Sequence, residues 1–357
     1  MSLPKLTPEL YYGLCERFLD RREPWTAGRL RDWLRANKIS SATREQIFPL
    51  MREAIRRGYV RLVPKSNFKL EKRLRRRYSD LPDCVSVVDI EEEQVSDGLA
   101  RETAERLFQR IESVAEHKRR TDAKDPSVHI GFGAGGTARR VAERLAIRLE
   151  QEKGLPPLTF HALSSGFDPL QPTTAPVSFF SFFNRVHTRL QYVGLFTEPW
   201  VEWSDYEKIK KQSGVKVSFV EARKIDIVVT SLAQAGDPHG LLNAFLRLYR
   251  ASSDPLHKAG YVGDIQWQPF SEHGPLIVDT GKLAVTLFNL PALVRMAASK
   301  DKHVVLVAGP CHTCGERKVP ALRPLLTRPS LRAFDTLITD SRTIWELLDE
   351  GQHGSAN

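Results

Sequence analysis

The sequence has no uninterrupted apolar run of about 18 residues, the length that a membrane-spanning helix requires. Its start, MSLPKLTPEL, also lacks the apolar core of a secretory signal. We therefore expect a cytoplasmic protein without a membrane partner. The 357 residues, 41% of them apolar, are enough for a buried core and for two or three domains.

Cysteine is scarce too. Four cysteines are too few and too dispersed for a disulfide framework. Two of them form the pair Cys311-His312-Thr313-Cys314, which could chelate zinc or exchange a disulfide. A structural zinc site normally takes four protein ligands, and the sequence has no second C-x-x-C. Two cysteines in a lengthened loop is therefore the favoured interpretation, and neither a metal nor a cofactor is predicted.

Excess positive charge is missing beyond residue 80. Residues 1–80 contain 20 Lys and Arg against 9 Asp and Glu, whereas residues 81–357 contain 33 against 34. A basic head on a neutral body is typical of a nucleic-acid-binding segment fused to another domain. A solvated, arginine-rich helical face would have the same composition, so the residue pattern within the head must decide between them.

The head contains two stretches with helical periodicity, over 26–37 and 47–55. Ser40 or Ser41 could cap the second helix. Gly58 ends this stretch, and residues 59–63 alternate as a strand does. This order predicts a winged helix-turn-helix with double-stranded DNA as its partner. The apolar residues that define the second helix are Ile47, Leu50, Met51, Ala54 and Ile55.

The start of the second helix of such a module enters the major groove. The residues predicted to contact bases are Thr43, Arg44 and Gln46. The residues predicted to contact phosphates are Arg56, Arg57, Arg61 and Lys65. Pro49 leaves the start of the helix open: a start near Ala42 would make it a kink, and a start near Ile47 would accommodate it. The basic run at 68–78 is predicted to be a connecting helix that attracts phosphate.

Beyond residue 80, short β-branched runs alternate with helical stretches, which predicts a mostly parallel α/β sheet. Ligands of such sheets collect at the C-terminal ends of the strands. Three loops fall there. Residues 131–137 could bind phosphate or form a plain tight turn. Residues 260–265 could place Asp264 on a sugar hydroxyl or form an ordinary Gly-Asp turn, and residues 309–318 could add Lys318 to the same phosphate.

Together these loops resemble the effector domain of the SorC/DeoR-type sugar-binding transcriptional regulators. In that family a winged helix-turn-helix precedes a domain related to ribose-phosphate isomerases and glucosamine-phosphate deaminases. Residues 131–137 are similar to its G-x-x-x-G-x-T phosphate loop, and residues 260–265 to its G-x-V-G-D-[IV] element. Residues 315–318 are similar to its G-x-x-K loop, and residues 337–340 to its closing L-[IV]-T-D segment.

The resemblance implies a regulator, not an enzyme, whose operator affinity responds to a phosphorylated sugar and which forms a dimer or tetramer. The effector-binding residues it implies are Gly133, Gly135, Gly136, Thr137, Ser165, Gly166, Asp264 and Lys318. The predicted domains are a winged helix-turn-helix at 1–66, a basic connecting helix at 67–80, and an effector-binding and oligomerisation domain at 81–350. The alternatives are a sugar-phosphate isomerase or deaminase with a basic appendage, and an effector-independent DNA-binding protein.

Overall fold

A computed structural model describes residues 3–20, 23–60, 65–82, 84–91, 94–166, 171–249, 252–276 and 282–353. The chain divides into two compact units, Met1–Val63 and Pro64–Asn357. Each unit contains its own buried apolar core. Within the described ranges, no helix is both long and apolar enough to cross a membrane.

Three helices build the first unit: α1 (Pro8–Phe18), α2 (Ala27–Ala36) and α3 (Ile47–Arg56). Thr26 caps α2, because its Oγ1 accepts a hydrogen bond from the N–H of Arg29 at 3.3 Å. Leu30 and Leu34 of α2 pack with Leu50 of α3 in the core. The two predicted helices of the head are therefore confirmed, whereas α1 was not predicted.

The start of α3 differs from one of the two predicted alternatives. Gln46 is the N-cap residue of α3, so a cap at Ser40 or Ser41 is wrong. Pro49 is the third helical residue, a position whose N–H has no partner within a helix, and proline is tolerated there. Ile55, one of the apolar residues that define the predicted second helix, is 42% exposed. Of the predicted wing at 59–63, the first two residues form a bend and the rest lie outside the described residues.

The second unit is an α/β domain. Its strands are β1 (Lys65–Ser66), β2 (Cys84–Asp89), β3 (Val128–Phe132), β4 (Leu158–Ala162), β5 (Leu190–Val193), β6 (Trp200–Glu202), β7 (Ile227–Gln234), β8 (Gly263–Ile265), β9 (Gln268–Phe270), β10 (Lys282–Ala284), β11 (His303–Ala308) and β12 (Thr336–Asp340). Its α-helices are α4 (Phe68–Arg77), α5 (Val95–Arg120), α6 (Gly136–Glu150), α7 (Pro176–Phe179), α8 (Tyr206–Lys211), α9 (Ser213–Glu221), α10 (Leu241–Leu248), α11 (Asp254–Lys258), α12 (Leu290–Ala297), α13 (Val319–Thr327) and α14 (Ser341–His353).

The main sheet runs in the order β1-β2-β12-β11-β7-β3-β4-β5. From β2 to β5 every neighbouring pair is parallel, and β1 is antiparallel to β2. Strand β8 pairs antiparallel with the end of β7, and β9 pairs antiparallel with β8. Strands β6 and β10 form a separate antiparallel pair. The predicted mostly parallel α/β sheet is confirmed.

Apolar cores cover both faces of this sheet, as parallel strands require. Side chains alternate along β11: Val304 and Leu306 join one core, and Val305 and Val307 join the other. The predicted basic connecting helix exists as α4, and its Leu70 packs into the core of the second unit. This helix is therefore part of the α/β unit rather than a separate segment between units.

Candidate functional site

A cavity of about 600 Å³ opens at the point where the order of the strands in the sheet reverses, between β3 and β7. Strand β3 leads to β4 and β5 on one side, and its neighbour β7 leads to β11 and β12 on the other. Crevices at such switch points are the usual ligand sites of open α/β sheets. The cavity is lined by Ala134, Gly135, Gly136, Thr137, Arg139, Arg140, Gln171, Thr173, Thr174, Thr230, Ser231, Leu232, Ala233, Asp237, Pro238, His239, Gly240, Leu241, Ala244, Arg247, Leu248, Asp264, Gln266, Trp267, Cys311, His312, Thr313 and Lys318.

One wall of the cavity is the glycine loop that connects β3 to α6. Gly135 is the N-cap residue of α6 and has a φ of +111°, a conformation that favours glycine. Its N–H donates to the carbonyl of Thr174 at 2.9 Å. No side chain caps α6. The first amides of this helix therefore form an N-terminus suited to an anion.

Four cationic side chains line the same cavity, from three different parts of the chain: Arg139, Arg140, Arg247 and Lys318. Lys318 is held in place by a hydrogen bond from its Nζ to the carbonyl of Leu232 at 2.6 Å. Burial lowers the pKa of Lys318, and the carboxylates of Asp237 and Asp264 oppose that fall. Burial likewise lowers the pKa of Arg140. The cations outnumber the two carboxylates of the lining, so the cavity attracts anions.

Asp264 is buried, and its Oδ2 accepts a hydrogen bond from the hydroxyl of Tyr261 at 2.8 Å. Burial raises the pKa of Asp264 to about 6, and hydrogen bonds from Tyr261 and from the backbone N–H of Trp267 partly oppose the rise. These two donors fix the orientation of the carboxyl group at the cavity wall. It is a suitable acceptor for a sugar hydroxyl.

Gln266 projects two amide atoms that have no hydrogen-bond partner among the described residues. The side chain lines the cavity and is 7% exposed. Gln266 and Trp267 form the turn between β8 and β9 with φ values of +49° and +67°, which non-glycine residues rarely adopt. A buried amide without partners is costly, and strained backbone collects at ligand sites. Both features are therefore explained if the amide binds a polar ligand.

The structure places the predicted effector residues unequally. Those that line the cavity together are Gly135, Gly136, Thr137, Asp264 and Lys318. Gly133, Ser165 and Gly166 are not part of the lining; the N–H of Gly133 donates instead to the carbonyl of Val229 at 2.9 Å. Arg139 and Arg140 were not predicted, although they follow Thr137 directly. Gln266 was not predicted either, because a glutamine in a polar turn carries no signal in the sequence.

In the first unit, the predicted base-contacting residues lie in the turn before α3 rather than in the helix. The N–H of Thr43 donates to Oε1 of Gln46 at 3.1 Å, so part of the Gln46 amide is used within this turn. Arg44 is exposed. The helix starts one residue after Gln46, which agrees with the alternative start near Ile47 and not with the start near Ala42. Contact of these three residues with bases stays a prediction.

The predicted phosphate-contacting arginines at the end of α3 are both bound to Glu53. Arg56 donates to it at 2.6 and 2.7 Å, and Arg57 at 2.6 Å. Hydrogen bonds from Arg56 and Arg57 lower the pKa of Glu53 to about 2. Arg52 is exposed on the same helix and was missed by the sequence analysis. Arg61 lies outside the described residues, and Lys65 lies in β1 of the second unit.

No protein-family model matches the sequence, and no curated sequence gives a significant match. Solved structures do match. The full-length sorbitol operon regulator SorC from Klebsiella pneumoniae is 14% identical, with a TM-score of 0.62, over 96% of this chain and 99% of that one. The chain has the SorC/DeoR-type regulator fold. Because the full-length SorC structure covers nearly the whole chain, this fold includes the helix-turn-helix as well as the α/β domain.

Two further solved structures are similar to most of the chain. A DeoR family transcriptional regulator from Listeria monocytogenes is 18% identical, with a TM-score of 0.56, over 78% of this chain and 98% of that one. A transcriptional regulator from Streptococcus pneumoniae is 17% identical, with a TM-score of 0.58, over 80% of this chain and 97% of that one. The predicted resemblance is confirmed at the level of the fold.

Proposed function

We propose that this protein is a DNA-binding transcriptional regulator whose affinity for DNA responds to a phosphorylated sugar bound in the cavity of the α/β domain. The observation that carries the proposal is that one cavity contains both a set of anion-attracting groups and a buried amide without a partner among the described residues. The N-terminus of α6 and the cations of Arg140 and Lys318 suit a phosphate. In the same cavity, the carboxyl group of Asp264 and the amide of Gln266 suit sugar hydroxyls.

The regulatory step is a shift between two arrangements of an oligomer, a dimer or tetramer, that hold the helix-turn-helix units at different spacings. A ligand shifts such an equilibrium only by its difference in affinity for the two arrangements. Paired helix-turn-helix units bind half-sites about one helical turn of DNA apart. The sugar phosphate therefore changes operator affinity if the operator-competent arrangement binds it more tightly, or less tightly, than the other.

The test uses a labelled DNA duplex that the full-length protein itself selects from a random-sequence pool. DNA affinity is then measured by fluorescence anisotropy with increasing glucose 6-phosphate, fructose 6-phosphate, fructose 1,6-bisphosphate or ribose 5-phosphate. We expect at least one of them to change the DNA affinity about fivefold or more, the usual lower range of allosteric coupling. Each unphosphorylated sugar is the matched control.

Lys318→Gln tests whether the same cavity is responsible. The substitution removes the cation but keeps a hydrogen-bond donor, so we expect DNA binding to remain and the response to the sugar phosphate to be lost. Arg119→Gln, on the exposed part of α5 outside the cavity, should leave both properties unchanged. DNA binding that no sugar phosphate alters would overturn the effector part of the proposal and favour an effector-independent DNA-binding protein.

We do not propose the enzyme alternative, in which Asp264 would have to act as one member of an acid–base pair. The carboxyl group of Asp264 accepts hydrogen bonds from Tyr261 and from the N–H of Trp267, which suits a fixed recognition group. Asp264→Asn distinguishes the two functions. If the protein is a regulator, Asp264→Asn should lose the response to the sugar phosphate and keep DNA binding. If the unchanged protein has a measurable isomerase or deaminase turnover that Asp264→Asn abolishes, the enzyme is supported.

A further inference from the structure

Three possible metal ligands meet at the edge of the cavity, on two loops that are far apart in the sequence. The sulfur atoms of Cys311 and Cys314 and a carboxylate oxygen of Asp237 all lie within 4.8 Å of one another. Cys311 and Asp237 are buried, and Cys314 is exposed. Asp237 and Cys311 also line the cavity that holds Lys318. Thiolate and carboxylate donors at such separations can coordinate the same tetrahedral cation.

The loop at 311–316 is folded so that both sulfur atoms face the same side. The N–H of Cys311 donates to the carbonyl of Glu316 at 2.7 Å, and the N–H of Gly315 donates to the carbonyl of Cys311 at 2.8 Å. Gly315 has a φ of +75°, which lets the chain reverse directly after Cys314. The backbone thus holds the pair in a chelating arrangement without help from a disulfide, since both cysteines are free thiols.

Asp237 is held in a fixed orientation toward the cysteines. Its Oδ1 accepts the N–H of His239 at 2.8 Å. Its backbone carbonyl accepts hydrogen bonds from the N–H of Gly240 at 3.0 Å and from Nδ2 of Asn243 at 2.9 Å. Outer contacts of this kind orient the ligands of metal sites. The carboxylate of Asp237 thus supplies a third ligand atom beside the two sulfur atoms, and three protein ligands are what an open tetrahedral site uses.

We propose that Asp237, Cys311 and Cys314 bind a thiophilic divalent cation, with Zn²⁺ as the best match to this set of donors. Three protein ligands leave one position of a tetrahedral site open. Because Asp237 and Cys311 line the cavity, the open position faces the space assigned to the sugar phosphate. A phosphate or hydroxyl oxygen of the effector would then coordinate the cation, a consequence that rests on the proposed function, whereas the cation site itself does not.

The experiment uses the full-length protein, treated with a chelator and kept reduced with a phosphine. Co²⁺ is titrated first, because tetrahedral thiolate coordination gives strong charge-transfer and d–d absorption, and Zn²⁺ is then added to displace it. We expect one equivalent of each cation per chain. Cys311→Ser and Cys314→Ser should each weaken Zn²⁺ affinity at least about 100-fold, since even changes in outer contacts cost about 10–100-fold.

Asp237→Asn should weaken Zn²⁺ binding while leaving all four thiols titratable. Cys84→Ser is the matched control, because Cys84 lies in β2 and away from the three ligands; it should bind Zn²⁺ as the unchanged protein does. A second measurement needs no variant. Zn²⁺ should protect Cys311 and Cys314, but not Cys84, from alkylation, as mapped by mass spectrometry of the labelled peptides.

Reduced protein that binds no Zn²⁺, or Zn²⁺ affinity that is equal in Cys311→Ser, Cys314→Ser and the unchanged protein, would overturn the proposal. A Cys311–Cys314 disulfide formed by oxidised glutathione in a protein that binds no Zn²⁺ would replace it with a redox pair. The link to the effector is measured separately, as sugar-phosphate affinity with and without Zn²⁺. Zn²⁺ binding that leaves this affinity unchanged would support the cation site and overturn only the link.

Discussion

Gln266 combines two costs in one residue: a buried amide without partners among the described residues and a backbone φ of +49°. An unsatisfied buried polar group costs about 1–3 kcal/mol, and strain of this kind adds a similar amount. A ligand that pairs with the amide recovers the first cost. The free energy of unfolding and the affinity for the ligand should therefore change in opposite directions when the amide is removed.

Gln266→Met keeps the size of the side chain and removes both amide atoms. We expect the free energy of unfolding to rise by about 1 kcal/mol or more, and sugar-phosphate affinity to fall about tenfold or more. Chemical denaturation and calorimetric titration measure the two changes. Gln268→Met is the control, because the Gln268 amide already donates to Thr286 at 3.3 Å. Equal effects of both substitutions on stability would contradict the assignment.

His161 lies in the core between β3 and β4, where its Nε2 is 2.9 Å from Nδ1 of His129. Burial lowers the pKa of His161 to about 3, below its ordinary value of about 6.5. The unfolded chain therefore takes up a proton below pH 6.5 that the native protein does not. The contribution of His161 to the free energy of unfolding is fully present above pH 6.5. It is lost as the pH falls toward 3, by up to about 1.4 kcal/mol per pH unit.

Urea unfolding at several pH values between 7 and 4 tests this contribution. His161→Gln should remove the part of the acid sensitivity that His161 carries, because glutamine does not titrate. The neighbouring His129, whose pKa burial also lowers, keeps its own part. The raised pKa of Asp264 acts in the opposite direction in both proteins and cancels in their difference. His117→Gln, at an exposed position of α5, should keep the pH dependence of the unchanged protein. A parallel pH profile for His161→Gln and the unchanged protein would show that His161 does not carry the effect.

Sequence patterns predicted residues of the cavity only where the residue types form a recognisable motif. Glycine with threonine before a helix pointed to residues 135–137, and a Gly-Asp pair pointed to Asp264. Gln266 carries no such signal, because a glutamine in a polar turn is common and its burial follows from the packing of β8 and β9 beside β7. The convergence of Asp237 with the cysteines also depends on contacts between loops about 75 residues apart, which spacing does not encode.

At the scale of single elements, α6 depends on the conformation of the residue that precedes it. An added Cβ at Gly135 would lie 3.6 Å from Leu241, an ordinary contact, so space alone permits alanine. The φ of +111° does not. The glycine is therefore required by the backbone that aims the amides of α6 at the cavity.

Gly135→Ala should lower the free energy of unfolding by about 1–3 kcal/mol and abolish sugar-phosphate binding, because the loop must move to relieve the strain. Thermal unfolding and effector titration measure these changes. Gly214→Ala, in α9 with nothing within 4 Å of the added atom, should instead be neutral or slightly stabilising. Unchanged effector affinity in Gly135→Ala would exclude the loop from the phosphate site.

The elements of the sheet followed from the sequence more closely than those of the head. Strands such as β11 (His303–Ala308) are continuous apolar runs rich in valine, which the sequence shows directly. In the head, the serines at 40 and 41 offered a plausible cap that the chain does not use, because Gln46 precedes the first helical residue. Pro49 held the better information, since it fits a helix that begins at Ile47.

At the scale of the whole molecule, the excess positive charge of the head predicts DNA binding that weakens with salt. Arg52 is exposed on α3. If it contacts a phosphate, Arg52→Ala should weaken binding to all sequences and reduce the slope of log affinity against log salt by about 1. Anisotropy titrations at several salt concentrations measure the slope. Arg119→Ala, on α5 of the second unit, should leave it unchanged, and the same slope in both variants would exclude Arg52 from the interface.

The order of loops along the chain gave the fold class and one wall of the cavity. The lining residues within 171–174 and 237–248 were not predicted, because these segments have no motif and reach the cavity only through long-range packing. The SorC/DeoR-type fold thus follows from the pattern of strands and glycines. The chemistry of its cavity follows from long-range packing.

The pairing of β2 with β12 has a consequence for folding during translation. Thr336 lies opposite Cys84, 252 residues earlier, so a strand that leaves the ribosome early waits for its parallel neighbour until translation is nearly finished. Pairing across such a separation is slow, and an unpaired strand edge is prone to aggregation. A nascent chain that stalls before residue 336 would expose the edges of β2 and β11 together. Such stalled chains would depend on chaperones until release.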